Sequence, residues 1–218
     1  VNKALTLTGS SGVVIQGTFL SDNGLAANAS VADFLKTAPS YTGAAGIGLT
    51  IASSNVTIEG ITIKGFLSGI ELGDNIANTL VKDVTLTGSV FGINKAMSAD
   101  VTGLTVDGGT ISDSYIGVLF AKAVGDGMAS DVTITGTTFS HLTQKGIYAE
   151  TFDASTITGI TMNDVGQYGG GPAFGANGAH GAGIDLNLKY DSYSGITISG
   201  FTFTDVGLSN GLGSSHAN

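Results

Sequence analysis

The sequence contains no cysteine. Disulfides, thiolate metal sites and cysteine nucleophiles are therefore excluded together. It also contains no arginine: all 8 basic residues are lysines, set against 17 acidic residues for a net charge of −9. Nucleic-acid binding needs clustered lysine and arginine to meet phosphates, so nucleic acid is excluded as a partner, and an anionic membrane surface is disfavoured for the same reason. No apolar run approaches the roughly 18 residues that a membrane span requires. Only 2 prolines are present, which argues against a collagen-like or proline-rich chain.

What the sequence has in excess is glycine, 35 of 218 residues, about twice the usual share of roughly 7%. Combined with abundant Thr, Val and Ile, this composition predicts many short strands joined by tight turns. Hydrophobic residues make up 42% of the chain, enough for one domain with a sizeable core.

The strands follow a repeat. Val56-Thr57-Ile58-Glu59-Gly60 is one copy of a Thr-aliphatic-x-Gly frame. The others are Thr6–Gly9, Thr85–Gly88, Thr105–Gly108, Thr133–Gly136, Thr156–Gly159 and Thr197–Gly200. Three residues past the glycine comes Ile63, Phe91, Ile111, Phe139, Met162 or Phe203. A second series, Gly46-Ile47, Gly69-Ile70, Gly92-Ile93, Gly117-Val118, Gly146-Ile147 and Gly183-Ile184, opens a further short strand in each unit. Steps of 20 to 28 residues between frame glycines fit one turn of a solenoid. Alternation with period 2 points Val56, Ile58, Ile61 and Ile63 inward and leaves the threonines outside. The predicted fold is all-β, a right-handed parallel β-helix of about seven to eight turns, forming a single domain over residues 1–218.

Two segments break the period, at 19–45 and 167–182. The first predicts a short helix over Ser30–Lys36 with Ser30 as N-cap and Pro39 beyond its end. The second is a Gly-rich loop. Both fall between a frame glycine and the following Gly-Ile strand, so both are expected at the same corner of the solenoid. The chain opens without Met and ends within the pattern, from which it is expected to be part of a longer protein.

The repeated Val-Thr-Ile-x-Gly frames, with the opening Val1-Asn2-Lys3-Ala4-Leu5-Thr6-Leu7-Thr8-Gly9, resemble right-handed parallel β-helix proteins of the pectin-lyase-like superfamily. They look most like repeat regions of bacterial secreted and cell-surface proteins. That resemblance implies an extracellular or cell-surface location. Its enzymes supply tests that this sequence fails: the lyase and methylesterase types rely on arginine, which is absent. The polygalacturonase type needs paired Asp, Gly-His-Gly and Arg-x-Lys, yet His180 follows Ala179. The Asp-Pro-His motif of alginate epimerases does not occur.

Two positional rows carry the remaining chemistry. Two residues past the Ile/Phe/Met column stand Asp113, His141, Asp164 and Asp205. If they stack about 4.8 Å apart, a cation is needed between the carboxylates, and Ca²⁺ with its oxygen preference is the candidate cofactor. Asx turns at strand ends account for the same residues without a metal. The outer face of the Gly-Ile strands presents Glu71, Tyr148 and Asp185, with Glu150, Asn187, Lys189 and Tyr190 nearby. A sugar can stack on Tyr148 while carboxylates and amides bind its hydroxyls, and Tyr148, Asp185 or Lys189 are the candidates for acid–base chemistry. His180 and His216 sit in loops without a fixed carboxylate partner.

The expected function is an extracellular structural or adhesive module (a surface layer, adhesin or filament) that binds polysaccharide or cell-surface glycan. End-to-end or lateral self-assembly is expected of its open rungs. The alternative is a polysaccharide lyase, epimerase or hydrolase.

Overall fold

The computed structural model describes residues 4–9, 12–37, 46–166 and 181–207. Its strands form three parallel ladders. The first runs Leu5–Thr8, Val56–Glu59, Ile76–Lys82, Val101–Asp107, Thr133–Thr135, Thr156–Thr158, Thr197–Ser199. The second starts at Val14–Gln16 and passes through Thr62–Lys64 and Thr85–Thr87. It continues through the first halves of the long strands Thr110–Phe120 and Thr138–Ala149 to Thr161–Val165 and Thr202–Val206. The third joins Ile47–Ile51, Ser68–Leu72, Phe91–Lys95, the second halves of the two long strands, and Ala182–Leu186.

Each strand pairs with its counterpart one turn away, which is the signature of a parallel β-helix. About five turns close around the core, slightly fewer than the seven to eight expected. The outermost strands are paired, but their inward side chains, such as Leu5, Ile198 and Phe203, stay exposed.

Alternation puts the aliphatic residues of successive turns into buried columns. Ile15, Ile63, Leu86, Ile111, Phe139, Met162 and Phe203 form one of them, in register. The column holds Leu86 where the frame predicts Phe91. The Thr85–Gly88 match belongs to the second ladder; the first-ladder strand of that turn is Ile76–Lys82. At its end Asp83, with φ +49°, takes the left-handed corner that Gly60, Gly108, Gly136, Gly159 and Gly200 take in other turns. A short polar side chain tolerates that conformation, so the frame lost its glycine without losing its corner.

The third ladder contains a column of glycines: Gly48, Gly69, Gly92, Gly117, Gly146 and Gly183. A Cβ on any of the first five would lie 2.5–2.8 Å from the carbonyl oxygen of the next glycine in the column. Neighbouring rungs approach too closely there for any side chain. In the first turn the column residue is Gly48 rather than the predicted Gly46, because Leu49 is the residue paired with Ile70.

The segment after the first corner folds as two short helices, α1 (Phe19–Asp22) and α2 (Val31–Thr37). Ser30 accepts the Asp33 amide at 3.0 Å, the N-cap geometry expected. Phe19, Val31 and Leu35 pack on the outward-facing Val90, Tyr115 and Ile116 as a second hydrophobic cluster. The insertion is thereby fixed to the outside of the solenoid. Of the Gly-rich loop at 167–182, residues 167–180 lie outside the described residues.

Candidate functional site

The corner beneath the insertion is built by one stacked column. Its first positions are Gly17, Gly65 and Gly88; its later ones are Asp113, His141, Asp164 and Asp205. The pairs on either side, Ser112 with Ser140 and Ser114 with Leu142, then Ser140 with Asn163 and Leu142 with Val165, keep Asp113, His141 and Asp164 in line. Asn163 with Thr204 and Val165 with Val206 do the same for Asp205. All four non-glycine members have φ between +49° and +54°, so the strand bends there and the side chains project from the corner.

The two halves of the column do different work. Where it is glycine, a bare floor remains, and the insertion arches over it to leave a cleft of about 250 Å³. Leu20, Leu25, Ala27 and Ala29 line its apolar side, and Gln16, Asn28, Lys64 and Asp113 supply polar groups. The side chains of Gln16, Asn28 and Lys64 have no partner among the described residues.

Where the column carries side chains, they grip the insertion. The Asp113 carboxylate accepts the amides of Val31 and Ala32, each at 3.1 Å, and lies 2.5 Å from Ser30 Oγ. Ser30 Oγ is also 3.2 Å from His141 Nε2, and His141 Nδ1 is 2.5 Å from Asp164 Oδ2. Asp33 Oδ1 approaches Nε2 at 3.4 Å and pairs with Lys36 at 2.7 Å. The Lys36 hydrogen bond, outweighing partial burial, holds the Asp33 carboxyl below its usual value. The predicted row is therefore real in register, but Asp113 and His141 turn toward Ser30 on an insertion that periodicity could not place. Among the described residues, no group of three or more His, Cys, Asp or Glu could hold a metal ion.

The outer row also forms: Glu71 pairs with Asn94, Asn94 with Leu119, Leu119 with Tyr148 and Tyr148 with Asp185. Glu71 thus stands three turns from Tyr148, at about 4.8 Å per turn, and does not join the cluster at the other end. There Glu150 is central. It accepts hydrogen bonds from Tyr148 Oη at 2.6 Å, from Lys189 Nζ, and from the Lys122 amide at 2.8 Å. Asn187 donates to Tyr148 Oη at 3.3 Å. Lys145 pairs with Asp185 at 2.6 Å and lies over the Tyr148 ring, 3.6 Å from its centre.

Burial, then the Glu150 hydrogen bond, push the Tyr148 hydroxyl up, and the bond to Glu150 raises Lys189 against the opposing effect of burial. Both groups are thereby held protonated, which runs against a base role for either. Burial would push the Glu150 carboxyl up, but the bonds from Lys189, Tyr148 and Lys122 outweigh it and hold it below its usual value. A depressed carboxyl stabilises the fold above its unfolded value, near 4.3, and that stabilisation is lost as pH falls through the lower folded value. Thermal melts from pH 7 to 3 should accordingly show a smaller loss below about pH 4 for Glu150→Gln than for the wild type.

The buried lysines Lys95, Lys122 and Lys145 escaped the sequence reading. Lys95, 1% exposed, occupies an inward position between Leu72 and Phe120 in the neighbouring turns. Its ammonium donates to the carbonyls of Ala96, Met97, Ala99 and Gly127 at 2.9–3.2 Å. His180 and His216 lie outside the described residues.

The family described as "Periplasmic copper-binding protein (NosD)" matches residues 4–205. No curated protein and no solved structure matches the chain.

Proposed function

We propose, from the premise that this chain belongs to the NosD family, that it is a rigid β-helical module of the cell envelope that binds saccharide at the insertion corner. The envelope location follows the family's description as periplasmic. None of the described helices is long and apolar enough to cross a membrane.

The observation that carries the reading is the cleft. Its volume of about 250 Å³ lies just under the range of small-molecule pockets, roughly 300–1,000 Å³, and suits a single sugar unit. An apolar wall of Leu20 and Leu25 faces polar groups of which three are unpartnered. Lys64 has no carboxylate within ion-pair distance among the described residues, so an acidic sugar complements it. The Tyr148 patch supports the reading less. Lys145 covers one face of the ring, and the Glu150 carboxylate already has three donors.

Copper does not fit the described residues. Cysteine is absent, and both ring nitrogens of His141 face oxygen partners in the column and the insertion. No group of metal-binding side chains converges elsewhere among the described residues. The role proposed therefore uses no copper.

Titration calorimetry with a uronic-acid oligosaccharide tests the proposal. Binding should be lost, by tenfold or more, in Lys64→Glu and kept in Lys189→Ala, with glycosidic bonds recovered intact. Equal binding by wild type and Lys64→Glu would contradict it.

A further inference from the structure

We propose that Ser30, His141 and Asp164 form an ester-hydrolysing centre at the rim of this cleft, acting on small O-acyl groups such as acetyl esters carried by a saccharide. It rests on the cleft reading only for what delivers the ester; the chemistry itself needs the three side chains.

The geometry is that of a nucleophile, a base and an orienting acid in series. Asp164 Oδ2 lies 2.5 Å from His141 Nδ1. With the Nδ1 proton donated to that carboxylate, Nε2 presents a lone pair. Ser30 Oγ stands 3.2 Å from Nε2, within the reach expected of a base in a ligand-free site. The three residues come from two turns of the corner column and from the insertion, and helix capping by Ser30 has no use for His141 or Asp164. The neighbouring Ala29 and Asp113 line the cleft, so a bound ester reaches Oγ from that side.

The steps balance with water as the co-reactant. Oγ bonds to the ester carbonyl carbon while its proton passes to Nε2. The carbon–oxygen bond to the sugar then breaks, and the departing oxygen takes the proton from Nε2. Water repeats the sequence on the acyl-serine: it gives a proton to Nε2, its oxygen bonds to the acyl carbon, and Oγ leaves and is reprotonated. Asp33 Oδ1, 3.4 Å from Nε2, stabilises the imidazolium formed in each half.

Asp113 guards the centre. At 2.5 Å it takes the serine hydroxyl in the resting arrangement, and it holds the amides of Val31 and Ala32. Releasing it should raise activity. Asp113→Gly does so without straining the corner, since the same column already carries glycine at Gly65 and Gly88 with positive φ.

Release of 4-nitrophenol from its acetate, which is too small to need Lys64, and labelling by a fluorophosphonate test the centre apart from saccharide binding. The label should appear on Ser30, with hydrolysis at least fivefold faster in Asp113→Gly. In that background Ser30→Ala and His141→Gln should lose tenfold or more, while a cooperative melt confirms that each variant is folded. Asp164→Asn, a positioning change, should move the acidic limb of the pH–rate profile. Silence in both wild type and Asp113→Gly overturns the proposal. So does a label elsewhere, or a Ser30→Ala variant as active as its parent.

Discussion

Gly117→Val is expected to lower the thermal midpoint by about 6–12 °C, because roughly 3 kcal/mol of overpacking translates to about 2–4 °C per kcal/mol in a domain of this size. The strain has nowhere to go. A Cβ at position 117 would lie 2.5 Å from the Gly146 carbonyl oxygen and 2.8 Å from the Phe139 ring. The oxygen belongs to the next rung's backbone, which is fixed by ladder hydrogen bonds, and the ring is itself fully buried. Relief requires two rungs to part, which would break the pairing that defines the solenoid. Gly125→Ala provides the contrast. Its φ of +81° is unfavourable, but nothing lies within 4 Å of the added carbon, so the loss should be limited to about 1–2 kcal/mol of backbone strain. Calorimetric melts of the two variants measure the difference. Equal midpoints would show that close approach of the rungs does not govern the column.

Lys95→Met is expected to destabilise the protein by about 2–4 kcal/mol at neutral pH, since orphaning buried acceptors costs about 1–3 kcal/mol for each one that finds no new donor. Four carbonyls from two adjacent corners converge on this ammonium, and methionine fills the volume while offering none of them a proton. The lysine also carries a pH signature. Burial is the largest influence and lowers its pKa to about 8, below the unfolded value of roughly 10.4. The folded state therefore disfavours the charged form. The penalty is fully present below about 8 and is relieved as pH rises toward the unfolded value. Wild type should gain stability relative to Lys95→Met between pH 8 and 10, measured as the difference between their denaturant midpoints. A constant difference across that range would mean that burial does not perturb the amine.

Much of the fold was legible because a solenoid writes its geometry as a period. The Thr-aliphatic-x-Gly frame located most corners, and the row of Asp113, His141, Asp164 and Asp205 followed from counting residues past it. Counting failed where two faces share a pattern. Thr85-Leu86-Thr87-Gly88 reads like the frame but lies on the second ladder, and Asp83 hides the true corner by replacing glycine with another residue that accepts positive φ. Lys95 was readable in principle, since it falls at the inward parity between Leu72 and Phe120. The carbonyls that satisfy its ammonium are backbone groups, and no side-chain letter marks them.

The candidate site was less legible for a different reason. Ser30 was recognised as a helix cap, but it meets Asp113 and His141, 83 and 111 residues away, only because the insertion folds back over the corner. Gln16, Asn28 and Lys64 come together in the same way. Repeat spacing orders residues within the solenoid and carries no information about an excursion from it. In the Tyr148 group, which lies on the repeat, Tyr148, Glu150, Asp185, Asn187 and Lys189 stand together and Glu71 stands apart. The pairing within that group argues for a structural tie between the last turns.

The location of the ligand is the central claim, and amide shift mapping by NMR tests it most directly. Addition of a uronic-acid disaccharide should move signals at residues 16–29, 64–65, 88 and 113 and leave those at 145–150 and 185–193 in place. Shifts confined to the Tyr148 and Glu150 face, with the insertion corner unmoved at saturating ligand, would contradict the account.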